Sequence, residues 1–167
     1  MSVTLRPMTR NEYHDFYQRY VPDPVMDPRP YRYQREHVER CFDYDLSRRD
    51  WYPIFGIFDG CERCVGMLSL MRIDSLYHRC EIGIMMVDDS CKGKGYGTDA
   101  LRQAMMLARE RYGIQTLTAD TTRGNLRMRH ILTKLGFQLT EYVENAYDMG
   151  NRREDRLSFT LTLNENQ

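Results

Sequence analysis

Residues 81–101 read EIGIMMVDDSCKGKGYGTDAL: a mostly apolar run, a polar bend, glycines at positions 93, 95 and 97, and then a helical pattern. Glu81 to Val87 is short, apolar and bounded by Asp88-Asp89-Ser90, which predicts a strand. From Gly97 onward Leu101, Ala104, Met105, Ala108 and Tyr112 recur at three- and four-residue spacing, with Arg102, Gln103, Arg109 and Glu110 between them. That is the pattern of an amphipathic helix. The glycines therefore join a strand to a helix. Backbone N–H groups at a helix start, beside residues too small to block approach, form a cradle for an anion, so the stretch predicts a ligand carrying phosphate.

Three phosphate-binding motifs compete for this loop. A Walker-type loop needs Lys-Ser or Lys-Thr after the glycines, and neither follows here. A dinucleotide fingerprint is satisfied by Gly95, Gly97 and Ala100, with Asp120 at the distance of a ribose-binding acid. Against it, Asp88 to Lys94 separate the first glycine from the strand, and too little chain follows for a second nucleotide-binding half. The third is the acyl-CoA signature R/Q-x-x-G-x-G/A, read as Lys92-Gly93-Lys94-Gly95-Tyr96-Gly97 with Lys in the first place. Downstream, Asn125-Leu126-Arg127 runs through to Lys134-Leu135-Gly136-Phe137. With both motifs in register, the sequence resembles the GNAT N-acetyltransferase superfamily over Val65 to Phe159. Its motifs are most like those of the branch holding spermidine/spermine and ribosomal-protein N-acetyltransferases.

The resemblance implies an α+β fold in α/β/α layers, with a mixed, mostly antiparallel sheet of about seven strands flanked by helices, as one domain over residues 1–167. It implies an acetyl-CoA-dependent N-acetyltransferase that acts on a primary amine, a polyamine-like small molecule or a protein N-terminus, by direct attack in a ternary complex. The pyrophosphate of acetyl-CoA is expected on Lys92, Gly93, Lys94, Gly95, Tyr96, Gly97 and Thr98, with Lys92 and Lys94 as exposed cations. The pantetheine arm is expected along the backbone at Met86 and Val87, where an N–H could polarise the thioester carbonyl. Asn125 matches a side-chain contact to the cofactor and also reads as a helix N-cap. Glu81 is the candidate catalytic base, the competing reading being a strand carboxylate paired with Arg79 or Arg72. Asp23, Asp27, Tyr31, Tyr33 and Glu36 are candidate acceptor contacts, or simply a solvated surface.

The sequence departs from the family pattern at the general acid. Met128 and Leu132 stand where relatives carry Ser and Tyr. Either the thiolate leaves unaided, or Tyr142 or Tyr147 supplies the proton, or the chain is an acyl-CoA-binding regulatory or scaffold protein with little transfer. His78 and His130 could also titrate usefully in the reaction, the competing reading being polar surface residues.

Lys plus Arg and Asp plus Glu both number 24 in 167 residues, so no global field favours nucleic acid or an anionic membrane. Met1 to Thr9 lacks an apolar leader core and no run approaches a membrane span, which predicts a cytoplasmic protein. Five cysteines at irregular spacing argue against a disulfide framework. Cys61-Glu62-Arg63-Cys64 has no second ligand pair at zinc spacing, so no metal site is expected, and nothing in the sequence marks Cys91 as activated. Family behaviour and a tyrosine-rich closing hairpin suggest a dimer or larger assembly.

Along the chain, Val3 and Leu5 predict a first strand, Asn11 to Tyr20 a helix capped by Thr9 or Asn11, and Pro22, Pro24, Pro28 and Pro30 a fixed loop. Then come a helix over Gln34 to Leu46 and a meander of Pro53 to Phe58, Val65 to Ile73 and Arg79 to Val87. After the long helix follow a strand over Thr116 to Thr121, a helix over Asn125 to Leu135, and a hairpin of Phe137 to Tyr147 and Leu157 to Leu163 around Gly150-Asn151.

Overall fold

The computed structural model describes residues 2–164. Strands β1 (Thr4–Arg6), β2 (Ile54–Phe58), β3 (Cys64–Asp74), β4 (Arg79–Met86), β5 (Thr116–Thr122), β6 (Gln138–Asp148) and β7 (Arg153–Thr162) form one sheet in the order β1-β2-β3-β4-β5-β7-β6. Helices α1 (Arg10–Arg19) and α2 (Arg35–Ser47) precede β2, α3 (Tyr96–Tyr112) joins β4 to β5, and α4 (Leu126–Lys134) joins β5 to β6.

Consecutive buried residues show which part of the sheet is covered on both faces, because neighbours along a strand point to opposite sides. Phe55 to Phe58 in β2 and Cys64 to Leu68 in β3 are buried without a break. In β7, and in β5 as far as Asp120, only one face is: Leu117, Ala119, Leu157, Phe159 and Leu161 are buried, while Thr118, Asp120, Ser158 and Thr160 between them are half-buried; Thr121 and Thr122 at the end of β5 are both buried, beside Val25 and Met26. Over these residues the sheet's second half thus keeps one polar face partly open to solvent. α3 packs against β1, β3 and β4 through Ala100, Leu101, Ala104 and Ala108. Asp99 of α3 accepts from the Val3 N–H at 2.7 Å, which ties the first strand to the helix.

All strand pairs are antiparallel except β4–β5, which pair in parallel only at Arg79–Glu81 with Thr116–Thr118. Beyond Glu81 the two strands part. The one boundary that differs materially from expectation is β7, which begins at Arg153 and not at Leu157. Its first residues, Arg153 to Arg156, are charged and show no alternation, yet they pair with Asp148, Tyr147 and Val143 of β6.

The cap of α1 is Thr9, in a capping box: its hydroxyl accepts from the Glu12 N–H at 3.2 Å and its N–H donates to Glu12 at 2.9 Å. Hydrogen bonds from Arg6 pull the Glu12 carboxyl down to about 2 against the effect of burial, and Thr9 adds to the pull. A folded value below the unfolded one means the stabilisation is complete above the ordinary Glu range and is lost as pH falls through about 2. The difference in Tm between wild type and Glu12→Gln, a few °C at pH 7, should shrink toward zero in thermal melts taken down to pH 2.

Candidate active site

Helix α3 begins without a side-chain cap. Gly95, its N-cap residue, lies in the left-handed region at φ 82° and has no side chain with which to accept from the first turn. The opening N–H groups therefore lie at the positive end of the helix dipole without that partner. Gly97 is instructive for the opposite reason. Its backbone is helical, and a Cβ there would meet only Ile84 Cδ1, at 3.7 Å. The chain's own packing does not require glycine at 97, and the room beside it opens into a cleft.

The cleft holds about 240 Å³ and is lined by Ile84, Met85, Met86, Gly97, Asn125 and Met128, with Tyr20, Asp23, Met26 and Asp27 closing one side. Val21 fixes that closing loop, its N–H donating to the Val87 carbonyl at 2.9 Å. The Val87 N–H in turn donates to Val65, also at 2.9 Å. Hydrogen-bonded pairs alternate along an antiparallel ladder. With Val87 bonded to Val65, Met85 and Gly83 also turn their backbone toward β3, opposite Met67 and Ser69. The backbone groups of Met86 and Ile84 turn the other way, into the gap that β5 leaves. The N–H and C=O of Val87 are both bonded within the chain, and its side chain is buried.

Lys92 is not the exposed cation the sequence suggested. Its Nζ lies 2.7 Å from both Asp23 and Asp89, and its side chain is 11% exposed. Burial lowers its proton affinity, but the two hydrogen-bonded carboxylates outweigh that and leave it raised. Burial raises Asp23, which nonetheless ends below its ordinary value through the Lys92 hydrogen bond and the Val25 N–H. The positive charge left facing the cleft comes from Arg127, which lines it, while Lys94 is exposed on the loop. Gly93 shares the left-handed conformation, at φ 73°. The Tyr96 side chain is buried in the core, and Thr98 stands half-buried in the first turn. Asn125 caps α4, accepting from the Met128 N–H at 3.2 Å, and lines the cleft as well.

Of the loop residues read as acceptor contacts, Asp23 and Asp27 line the cleft, the latter held by Arg29 at 2.9 Å. Tyr31 packs on Tyr17 and Tyr20, Tyr33 bonds His14 at 2.7 Å, and Glu36 is exposed in the first turn of α2. Neither family position on α4 offers a hydroxyl: Leu132 is fully buried and Met128 lines the cleft, while the hydroxyl of Thr133 is exposed and donates to the Arg129 carbonyl at 2.9 Å.

Glu81 stands on the polar face, beside Thr118 where β4 and β5 separate. Its partner is Arg72, and its side chain is 19% exposed. Arg79 lies by Asp74 instead. Tyr142 donates its hydroxyl to Asp155 and is exposed, whereas Tyr147 is half-buried. Burial raises the Tyr147 phenol, and Asp120, Arg156 and Glu81 act on it in that order. Sequence reasoning passed over Tyr20, Met26 and Arg127, and it weighed Asp120 only as a ribose ligand. No periodicity marks a loop residue or the polar side of a strand as part of a site.

All five cysteines are free, Cys61 exposed and Cys64 buried. Among the described residues no cluster could hold a metal ion, and no helix is long and apolar enough to cross a membrane.

The sequence model of the acetyltransferase (GNAT) domain matches residues 2–138. No curated protein matches the chain. Among solved structures, the spermidine N-acetyltransferase from Vibrio cholerae in complex with CoA and spermine is similar at a TM-score of 0.85 and 15% identity, over 96% of this chain and 95% of that one. The dodecameric spermidine N-acetyltransferase from Vibrio cholerae in an intermediate state is similar at 0.79 and 15% identity, over 96% and 94%.

Proposed function

Because the chain belongs to the acetyltransferase (GNAT) family, we propose that it transfers the acetyl group of acetyl-CoA to a primary amine, either a polyamine-like small molecule or a protein N-terminus. The observation that carries this reading is the parting of β4 from β5 beside the uncapped start of α3. In the proposal, the diphosphate sits on the first turn of α3, against Gly93 to Thr98, with Lys94 and Arg127 meeting further phosphate charge. The pantetheine arm runs along the free backbone of Ile84 and Met86, and Asn125 reaches it from α4.

The amine approaches from the polar face. An ammonium gives its proton to Glu81, directly or through water, and the neutral nitrogen attacks the thioester carbonyl carbon. Charge developing on the carbonyl oxygen is met by the Met86 N–H. The carbon–sulfur bond then breaks and the electron pair leaves on the CoA sulfur. A thiolate is a fair leaving group, which accords with an α4 that carries Met128 and Leu132 where a hydroxyl is expected. The likeness to spermidine N-acetyltransferases supports an amine acceptor, and the dodecameric neighbour supports self-association. The reading places the protein in the cytoplasm.

Mixing the protein with acetyl-CoA and a panel of spermidine, peptides with free N-termini and simple monoamines, and following release of free thiol, tests this directly. Turnover supports the transferase. Tight acetyl-CoA binding without turnover for any amine supports the regulatory reading that Met128 and Leu132 favour. With an accepted amine, Glu81→Gln should lower kcat about 100-fold with the KM for acetyl-CoA unchanged. An intact kcat removes Glu81 from the chemistry.

A further inference from the structure

Several carboxylates on and around the polar face already hold a cation of this chain. Glu81 pairs with Arg72, Glu141 with Arg156 at 3.0 Å, Asp155 with Arg123 at 3.8 Å and Glu154 with Arg152 at 3.5 Å. On the cofactor side Asp23 and Asp27 are held by Lys92 and Arg29. Asp120 differs. It is half-buried on β5, and no hydrogen bond or ion pair engages its carboxylate among the described residues. It lies two residues beyond Thr118, the last β5 residue paired with β4, and points to the same face as Thr118 and Glu81. It therefore stands on the β5 side of the split, across from the part of β4 that has lost its neighbour.

The closing hairpin is bent toward this place. The β6–β7 register slips between Val143 and Tyr147, with Asn145 at φ 52° and its N–H donating to Asp155 at 2.9 Å. A bulge of this kind re-aims the side chains that follow it. Past the bulge Tyr147, half-buried, pairs with Glu154, which stands on the same face of β7 as Ser158, the partner of Asp120.

We propose that Asp120, with the Tyr147 hydroxyl on the same face of the sheet, binds the ammonium group of the acceptor at the mouth of the β4–β5 split and thereby selects acceptors that present a single ammonium. The inference rests on the acetyltransferase reading and adds to it a group that holds the amine before Glu81 takes its proton. A carboxylate without a partner, half out of water, is more costly to leave alone than one already paired, so an arriving cation gains most at this position. A polyamine finds Glu81, Glu141, Glu154 and Asp155 already engaged and gains little from its extra charges on this face.

The test is Asp120→Asn, assayed with a tripeptide bearing a free α-amine, with butylamine and with spermidine. Because no hydrogen bond or ion pair among the described residues uses this carboxylate, the variant should melt with wild type and bind CoA equally well by calorimetry. The KM for each amine should rise about 10- to 100-fold, with kcat at saturating amine within about twofold. Tyr147→Phe should raise the same KM values about three- to tenfold. For the wild type, spermidine should show no more than about a threefold advantage in KM over butylamine. An unchanged amine KM in Asp120→Asn overturns the assignment of Asp120 while leaving the transferase reading standing, and a spermidine advantage above about 30-fold overturns the single-ammonium selection. If the wild type neither turns over nor binds any of these amines, by calorimetry on the CoA-loaded protein, the anchor falls together with the acetyltransferase reading.

Discussion

Gly97→Leu should weaken acetyl-CoA binding by at least about 100-fold and leave the protein folded with an unchanged or slightly higher Tm. The asymmetry comes from what surrounds residue 97. Its backbone is helical, so a side chain costs no strain, and glycine is the weaker helix former by roughly 1 kcal/mol relative to alanine. Inside the protein a Cβ would meet only Ile84 Cδ1, at 3.7 Å. Outside, a leucine would stand in the cleft where the diphosphate is proposed to reach the first-turn N–H groups, and charge-assisted bonds to a helix start are the strong kind. Gly95→Leu is a poorer test, because φ 82° strains any side chain and a loss of binding would then report the loop as much as the cradle. Calorimetric titration of Gly97→Leu with acetyl-CoA, beside a thermal melt, reads both effects. Unaltered affinity would remove the cradle from the account.

Lys92→Met should act in the opposite way, with a Tm lower by about 5–10 °C and a dissociation constant for acetyl-CoA changed by less than about threefold. Lys92 belongs to the family signature, yet its ammonium is committed to Asp23 and Asp89, both at 2.7 Å. Its removal leaves Asp23 unpaired and half out of water, for roughly 2–3 kcal/mol after discounting the pair's contact with solvent. The double variant Lys92→Met/Asp23→Asn should recover part of that loss, since it removes the stranded charge too. Should Lys92→Met instead lose affinity severely at unchanged Tm, the lysine would be a phosphate ligand and the strap between the proline-rich loop and the glycine loop would be incidental.

These two residues mark how far the sequence could be read. The helix from Tyr96 and the strand before it follow from spacing alone, since a 3.6-residue period and a bounded apolar run each allow little else. The glycine cradle follows from chemistry, because few loops need alternate residues without side chains. What spacing does not carry is the meeting of distant segments. Lys92 is covered where Asp23, 69 residues earlier, reaches it, and the carbonyl of Val87 is spent where Val21 docks on it. The freedom of Met86 depends on where β5 leaves β4, a matter of register and not of composition. Leu132 reads as a helix-face residue in either event, and only its complete burial assigns it to the core. Asp120 lies in an alternating strand whose polar side looks like ordinary surface until the register shows β4 leaving β5 just before it.

The central claim is that the first turn of α3 and the gap between β4 and β5 together seat acetyl-CoA. A crystal structure of the protein grown with acetyl-CoA tests it most directly. The account predicts diphosphate oxygens within hydrogen-bonding distance of the backbone N–H groups between Gly95 and Thr98, and the pantetheine arm against Ile84 and Met86. A ligand bound elsewhere, with its diphosphate away from that turn and the strand gap closed, would contradict it.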